Sequence, residues 1–146
     1  MSRSAQEFVV TPGNSLSGEV TVAGDKSISH RAIMFGAIAS GVTRVRGFLP
    51  GEDCLATLSA MQSLGVRIER PAKTEVVIHG AGMHGLRAPP SAIDLGNSGT
   101  AMRLMMGLLS AQSFPVELTG DESLCSRPME RVAKPLRGMG ASIETT

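Results

Sequence analysis

The feature that most constrains the fold of this sequence is a partial internal repeat. The segment GDKSISHR at 24–31 is echoed by GNSGTAMR at 96–103, and each has an arginine seven positions after its first glycine. LGVRIE at 64–69 returns in the same order as MGASIE at 139–144. Offsets of 72 and 75 residues indicate a duplicated structural unit, although a glycine-rich chain can also produce such echoes by chance.

Each unit alternates strand and helix patterns, which predicts an α/β (α+β) fold class. The predicted elements of the first unit are a strand at 18–23, a helix at 29–39, a strand at 43–46, a helix at 51–65 and a hairpin of 66–70 with 75–79. Those of the second are a strand at 92–95, a helix at 100–111, a strand at 115–119, a helix from Pro128 and a strand at 141–145. Pro135 is expected to kink or split that last helix.

Composition limits the class of protein. The 146 residues are 42% hydrophobic and 18% charged, which fits one compact domain or slightly more. Cys54 and Cys125 lack metal-ligand spacing, and no run approaches the length of a membrane span, so we expect a cytoplasmic protein without a metal site. A net charge of +1, four Phe and no Tyr or Trp disfavour nucleic acid and membranes as partners.

The cationic residues favour small anions as ligands, because eleven of the fourteen are arginines, whose planar donors bind phosphate and carboxylate. Arg31 and Arg103 fall in the first turns of apolar helices, where the helix dipole disfavours a cation. We therefore expect an anion nearby. The alternative is pairing of each arginine with an acidic side chain of a neighbouring element.

The segments that lead into these helices add to the predicted anion site. Glycines, Lys26 and Ser27 could cradle a phosphate or carboxylate at a helix N-terminus, and Arg127 precedes another predicted helix start. The pattern is not a Walker motif, because Asp25 separates Gly24 from Lys26. Ordinary structural roles are expected for the three histidines, which lack metal spacing, and for two acidic pairs interpreted as helix caps: His30, His79, His84, Glu52 with Asp53, and Asp121 with Glu122.

Three motifs together resemble the N-terminal third of the 5-enolpyruvylshikimate-3-phosphate synthase family. They are GDKSISHR at 24–31, LGNSGTAMR at 95–103 and RPM at 127–129, and the resemblance covers nearly the whole chain. It implies an inside-out α/β prism built from βαβαββ units. The related UDP-N-acetylglucosamine enolpyruvyl transferases share that fold but differ in these loops.

The resemblance also implies a reaction: transfer of the enolpyruvyl group of phosphoenolpyruvate to the 5-hydroxyl of shikimate 3-phosphate, with release of phosphate, in aromatic amino acid biosynthesis. It implies no metal or organic cofactor. Lys26, Ser27 and Arg31 would bind shikimate 3-phosphate, and Lys26, Gly99 and Arg127 would bind phosphoenolpyruvate. Asn97, Thr100 and Arg103 would support these residues.

Members of the family are about three times as long and have two domains that close over the substrates. By resemblance, residues 1–20 belong with the second domain, and 21–146 form a partial N-terminal domain of unit one (21–85) and an incomplete unit two (86–146). The chain then looks cut, and we expect it to be inactive without the C-terminal portion, which would be its partner.

Two further expectations concern ligands. Family members with alanine at the position of Gly99 resist glyphosate, a mimic of phosphoenolpyruvate, so Gly99 predicts a complete enzyme that glyphosate inhibits. Leu104 departs from the family pattern, since many relatives have a proline after the arginine. The alternatives to an enzyme fragment are a stand-alone anion-binding module without catalysis and a structural half-domain whose arginines are paired internally.

Overall fold

The computed structural model describes residues 7–13 and 15–145. Within them the chain forms two small sheets and five helices. The elements in chain order are α1 (Lys26–Ile38), β1 (Ser40–Arg46), α2 (Glu52–Ser63), β2 (Arg67–Ala72), β3 (Glu75–Ala81), β4 (Ile93–Asp94), α3 (Gly99–Leu109), β5 (Leu118–Thr119), α4 (Glu122–Cys125) and α5 (Glu130–Gly138).

The larger sheet has the order β1-β3-β2, with both pairs antiparallel. The predicted hairpin is confirmed as β2 and β3, in which Ile68 pairs with Ile78. One face of the sheet is apolar and buried, through Ile68, Val76 and Ile78, and α1 packs against β3. In the smaller sheet β4 and β5 pair in parallel. Strand alternation therefore turns one face of the larger sheet toward the helices.

The core lies between the helices. α2 contacts both α1 and α3, and α3 contacts α5. Ile33 of α1, Met61 of α2 and Met105 of α3 are completely buried in one apolar cluster. Removing each such side chain from water contributes about 1.5–3 kcal/mol, so this cluster fixes the relative positions of the helix starts.

Capping residues decide where the first helices of the two units begin. The Asp25 carboxylate accepts a hydrogen bond from the Ile28 N–H at 2.7 Å, so α1 begins at Lys26 and not near Ser29 as predicted. Ser98 caps α3 in the same way, through the Ala101 N–H at 3.2 Å. Lys26 and Gly99 therefore occupy first helical turns and not preceding loops.

Several strand predictions were wrong for lack of a partner. Residues 18–23 form no strand, and Val20 and Val22 are 89% and 81% exposed. Residues 141–145 likewise form none, since no strand in the described part of the chain pairs with them. The predicted strands at 92–95 and 115–119 shorten to two residues each. The backbone N–H and C=O groups of a strand need hydrogen-bond partners on a neighbouring strand, and an alternation of apolar and polar residues cannot supply that strand.

The helices of the second unit also differ from prediction. The short helix α4 was not predicted, and α5 begins two residues after Pro128. α5 continues through Pro135, so the predicted split is wrong, because a proline removes only one ladder bond from a helix. The unit boundary at 85/86 and the segment 1–20 remain predictions; residues 1–6, Asn14 and Thr146 lie outside the described residues.

A buried histidine links α1 to α2. His30 is fully buried, its Nδ1 lies 2.7 Å from the Thr57 hydroxyl, and its Nε2 has no partner within the described structure. Burial lowers the pKa of His30 below its ordinary value of 6.5. Asp53 opposes that shift, while Lys26 and Arg31 add to it.

Acidification should therefore destabilise the fold through His30. The pKa of His30 in the folded state lies below its unfolded value of 6.5, so the unfolded state binds more protons as the pH falls. The contribution of His30 to the free energy of unfolding is therefore fully present above pH 6.5 and decreases as the pH drops toward the folded pKa. We expect the urea unfolding free energy to decrease between about pH 7.5 and about pH 5.5 in the wild type and to decrease less in His30→Asn. His84→Asn, at an exposed position, is the control; equal pH slopes in all three would contradict this.

Candidate functional site

The first group of predicted site residues lies at the start of α1. Because α1 begins at Lys26 and α3 at Gly99, Arg31 and Arg103 lie in the second turns of these helices and not in the first turns as predicted. The Arg31 Nη1 donates to the Ser27 carbonyl at 3.0 Å, which folds the guanidinium back toward the N-terminus of the helix. Both residues are exposed. The Lys26 ammonium forms an ion pair with the Asp53 carboxylate of α2. Two cations and a hydroxyl side chain are thus gathered at one helix N-terminus.

The segment before α1 is held closely against its neighbours. A side chain at Gly24 would collide with the Gly47 carbonyl, so only glycine permits this approach. The Leu49 N–H donates to the Ser29 hydroxyl at 3.0 Å. The Cys54 thiol donates to the Lys26 carbonyl at 3.6 Å. These contacts fix the first turn of α1 beside the start of α2.

A shallow cavity of about 280 Å³ opens between the starts of α1 and α2, and Lys26, Gly51 and Asp53 are among its lining residues. Glu52 and Asp53 lie in the first turn of α2, where their charges complement the helix dipole, but the predicted cap is wrong for this pair, because the N-cap of α2 is Gly51. The ion pair of Asp53 with Lys26 was not predicted. It joins two residues that are 27 positions apart in the sequence, and no local sequence pattern predicts such a contact.

The second group surrounds the start of α3. Arg103 repeats the geometry of Arg31, because its Nη1 donates to the carbonyl four residues earlier, that of Gly99, at 3.0 Å. Its Nη2 reaches the Pro128 carbonyl at 3.4 Å. Gly99 is buried, and Thr100 is exposed in the same turn. The repeat seen in the sequence therefore extends to the direction of the arginine side chains.

Arg127 completes this second group. It lies between α4 and α5, and its Nη2 donates to the Asn97 Oδ1 at 2.5 Å and to the Ser123 hydroxyl at 3.2 Å. Its Nη1 donates to the Asn97 carbonyl at 3.3 Å. Arg103 and Arg127 both border Gly99, since a Cβ there would lie 2.7 Å and 3.0 Å from their Nη1 atoms. Ser123 was not predicted, because α4 itself was not.

Asp121 holds the other end of the Asn97 amide. Its Oδ2 accepts from the Asn97 Nδ2 at 2.7 Å, and its Oδ1 accepts from the Leu124 N–H at 2.7 Å, as the predicted helix cap requires. The hydrogen bond from Asn97, followed by that from Leu124, holds the pKa of Asp121 below its ordinary value, and the charge of Arg127 adds to this. The carboxylate thus has a second role beyond capping.

The arginines of the two groups have no acidic partners. In the described part of the chain, no carboxylate oxygen lies within 4.0 Å of a guanidinium nitrogen of Arg31, Arg103 or Arg127, in contrast to Lys26. Internal pairing with acids, the alternative to an anion site, is therefore not what these arginines do. No hydrogen bond or ion pair between described residues joins the two groups, although α2 packs against both α1 and α3.

Other ligand classes find less support. Within residues 7–13 and 15–145, no three His, Cys, Asp or Glu side chains are grouped in a way that could hold a metal ion. In the same residues no helix is long and apolar enough to cross a bilayer. Guanidiniums that have no acidic partner among the described residues can, together with helix N-terminal amides, bind phosphate or carboxylate.

The structure defines a mixed α/β protein with a candidate anion site, and comparisons with known proteins assign its family. The EPSP synthase (3-phosphoshikimate 1-carboxyvinyltransferase) family profile matches residues 10–146. The chain is similar to the 3-phosphoshikimate 1-carboxyvinyltransferase of Legionella pneumophila (strain Lens), with 60% identity over 138 residues that cover 94% of this chain and 32% of that protein. The corresponding protein of Nitrosococcus oceani is 58% identical over 146 residues, which cover 100% of this chain and 33% of that protein.

A solved structure gives the same result. EPSP synthase from Acinetobacter baumannii superposes with a TM-score of 0.85 at 66% identity, covering 88% of this chain and 29% of that one. The chain therefore belongs to the EPSP synthase family, and the predicted family and fold class are confirmed. It spans about a third of the length of the curated relatives it matches.

A methyl group at Gly99 should displace the guanidiniums that border it without unfolding the chain. In Gly99→Ala the contacts fall on the ends of flexible side chains, and alanine favours the helix by about 0.5–1 kcal/mol. We expect the NMR signals of the Nε–H groups of Arg103 and Arg127 to shift, with little change in melting temperature. Gly107→Ala, on the same helix with open space around it, is the matched control. Unshifted arginine signals in Gly99→Ala would refute this geometry.

Proposed function

We propose that this chain supplies the N-terminal substrate-binding part of an enzyme that transfers the enolpyruvyl group of phosphoenolpyruvate to the 5-hydroxyl of shikimate 3-phosphate, with release of phosphate. Membership of the EPSP synthase family supports the reaction. The observation that carries the proposal for this chain is the placement of Arg31, Arg103 and Arg127 without acidic partners in the described structure.

The two groups of residues correspond to the two phosphorylated substrates. Lys26, Ser27 and Arg31 bind shikimate 3-phosphate, and the exposed first turn of α1 offers them to a ligand together with helix N-terminal amides. Lys26, Gly99 and Arg127 bind phosphoenolpyruvate. The Nη1 atoms of Arg103 and Arg127 both approach the buried glycine closely, so two guanidiniums meet at one place where they can bind an anionic group together.

Supporting residues hold these donors in place. Asn97 binds Arg127, and Arg103 reaches across to the Pro128 carbonyl. Thr100 lies in the first turn of α3. Addition of the hydroxyl to phosphoenolpyruvate and elimination of phosphate both change the distribution of negative charge. Cations and amides fixed beforehand stabilise that charge at little reorganisation cost.

Catalysis requires more than this chain in our proposal. The acidic proton-transfer residues and further cations of the family fall in the part of the relatives that the chain does not span, so the 146 residues bind substrate but do not turn it over. The C-terminal portion of the same enzyme is then the partner. We place residues 1–20 with the second domain, which the exposure of Phe8, Val10 and Val20, each about 90%, supports.

We also propose a cytoplasmic location. Cys54 and Cys125 are both free, and unpaired cysteines are typical of a reducing compartment.

Titration of the chain with shikimate 3-phosphate, followed by amide NMR, tests the binding step. We expect saturable shifts at Ser27 and Arg31. Arg31→Ala should weaken binding about tenfold or more, because a charge-assisted hydrogen bond contributes about 1.5–3 kcal/mol. Arg44→Ala, an exposed arginine on β1, is the control. Equal shifts and affinity with inorganic phosphate would favour a stand-alone anion-binding module, and a well-dispersed spectrum without shifts would reject substrate binding by this chain.

Inhibition of the complete enzyme by glyphosate is a second expected outcome. Glyphosate mimics phosphoenolpyruvate and would occupy the space beside Gly99, which a methyl group would reduce at distances of 2.7 Å and 3.0 Å from the two guanidiniums. We expect the complete enzyme that carries this sequence to be inhibited and its Gly99→Ala variant to resist. Full activity of the unmodified enzyme at concentrations that silence a sensitive relative would overturn this.

A further inference from the structure

Asp121 is not among the residues that bind either substrate in the proposed function, yet it contacts one that holds Arg127. A continuous chain of hydrogen bonds runs from the Asp121 Oδ2 to the Asn97 Nδ2 at 2.7 Å and from the Asn97 Oδ1 to the Arg127 Nη2 at 2.5 Å. The Asn97 side chain therefore lies between a carboxylate and a guanidinium.

This arrangement fixes the orientation of the Asn97 amide. An asparagine amide presents two donors at one end and an acceptor at the other. If the amide of Asn97 turned over, its NH₂ group would face the donors of Arg127 and its oxygen would face the carboxylate of Asp121. Both contacts would be repulsive, so Asp121 selects the orientation in which Asn97 accepts from Arg127.

The backbone around the carboxylate is held closely. The Leu95 N–H donates to the Thr119 carbonyl and the Asp121 N–H to the Gly96 carbonyl, both at 2.9 Å. A Cβ at Gly120 would lie 2.5 Å from the Gly96 carbonyl oxygen, so the two segments approach as only glycine allows. The Asp121–Asn97 contact thus joins two fixed segments, although both side chains are exposed.

The placement of Asp121 also preserves the charge of Arg127. No carboxylate oxygen of the described residues lies within 4.0 Å of its guanidinium, because Asn97 separates Asp121 from it. A direct ion pair would compete with an incoming anion for the same donors. A neutral amide between them orients the guanidinium and leaves its charge for the ligand.

We propose that Asp121 is a positioning residue for the phosphoenolpyruvate site and acts by orienting the Asn97 amide that holds Arg127. The inference rests on the proposed function, in which Arg127 binds a ligand that carries a phosphate and a carboxylate.

Two variants of Asp121 separate this role from helix capping. Asp121→Ser retains a good N-cap for Leu124 but is too short to reach Asn97. Asp121→Asn has one acceptor oxygen where the carboxylate has two, so when that oxygen caps Leu124 its NH₂ group faces the Asn97 NH₂ group. Leu124 N–H exchange reports the cap, the Asn97 side-chain NH₂ signals report the amide orientation, and titrations with phosphoenolpyruvate and with shikimate 3-phosphate report the two sites.

In Asp121→Ser we expect the Asn97 NH₂ signals to shift toward those of a freely rotating, solvated amide while Leu124 keeps its protection. Phosphoenolpyruvate affinity should fall about three- to tenfold, as for a lost hydrogen bond, with shikimate 3-phosphate affinity unchanged. Asp121→Asn should lose at least as much phosphoenolpyruvate affinity, because its NH₂ group favours the turned-over Asn97 amide. Unchanged Asn97 signals would overturn the proposal. It would also be overturned if the affinities for both substrates fell equally and the Leu124 N–H lost its protection from exchange.

A direct test of the charge argument uses Asn97→Asp, which places a carboxylate against Arg127. We expect this variant to lose phosphoenolpyruvate affinity more strongly than Asp121→Ser, and unchanged affinity would refute the argument. If the wild-type chain binds neither substrate, the proposed function fails for this chain. The orientation of the Asn97 amide is then still tested without ligand, by comparing the Asn97 and Arg127 side-chain signals of the wild type with those of Asp121→Ser. A difference between the two supports the inference, and identical signals refute it.

Discussion

The structure depends on arginines whose guanidiniums reach toward helix starts without acidic partners in the described part of the chain. Arg31 and Arg103 lie in the second turns of α1 and α3, and each turns back onto the carbonyl four residues earlier, that of Ser27 or Gly99. The dipole of a helix disfavours a cation near its N-terminus, where an acidic residue would be the ordinary choice. Those bonds fix the direction of the guanidiniums but add no negative charge, which in the proposed function the anionic ligand supplies.

The surrounding fold serves to hold these helix starts in position. α2 packs against both α1 and α3, and completely buried residues such as Ile33, Met61 and Met105 join the three helices. The capping residues Asp25 and Ser98 then determine which side chains enter the first turn. Core packing therefore sets where each helix lies, and capping sets which residues it presents. A ligand site at a helix N-terminus requires both.

The sequence could predict the features that follow from local pattern. The repeat predicts two arginines in equivalent places, and the four-residue link at 71–74 predicts the hairpin. The apolar sequences of α1 and α3 predict helices that are buried throughout, but Phe35 of α1 is 64% exposed. Contacts between distant elements leave no such pattern, so the second roles of Asp53 and Asp121 could not be predicted from their local sequence. The unpaired segment 18–23 shows the same limit, since its alternation is strand-like but nothing in the described structure pairs with it.

One cation of the site differs from the arginines in a way that its proposed role explains. Lys26 is paired with Asp53, but its side chain is about half exposed, so the pair is weak and water can replace either partner at little cost. A lysine carries a compact charge on a flexible stem, whereas an arginine offers a planar set of donors in one direction. A residue assigned to both substrates benefits from mobility, and Asp53 gives its ammonium a resting position between the starts of α1 and α2. In the proposed function the guanidiniums, held by hydrogen bonds, would orient each anion, and the ammonium on its flexible stem would follow the charge shared by the two ligands.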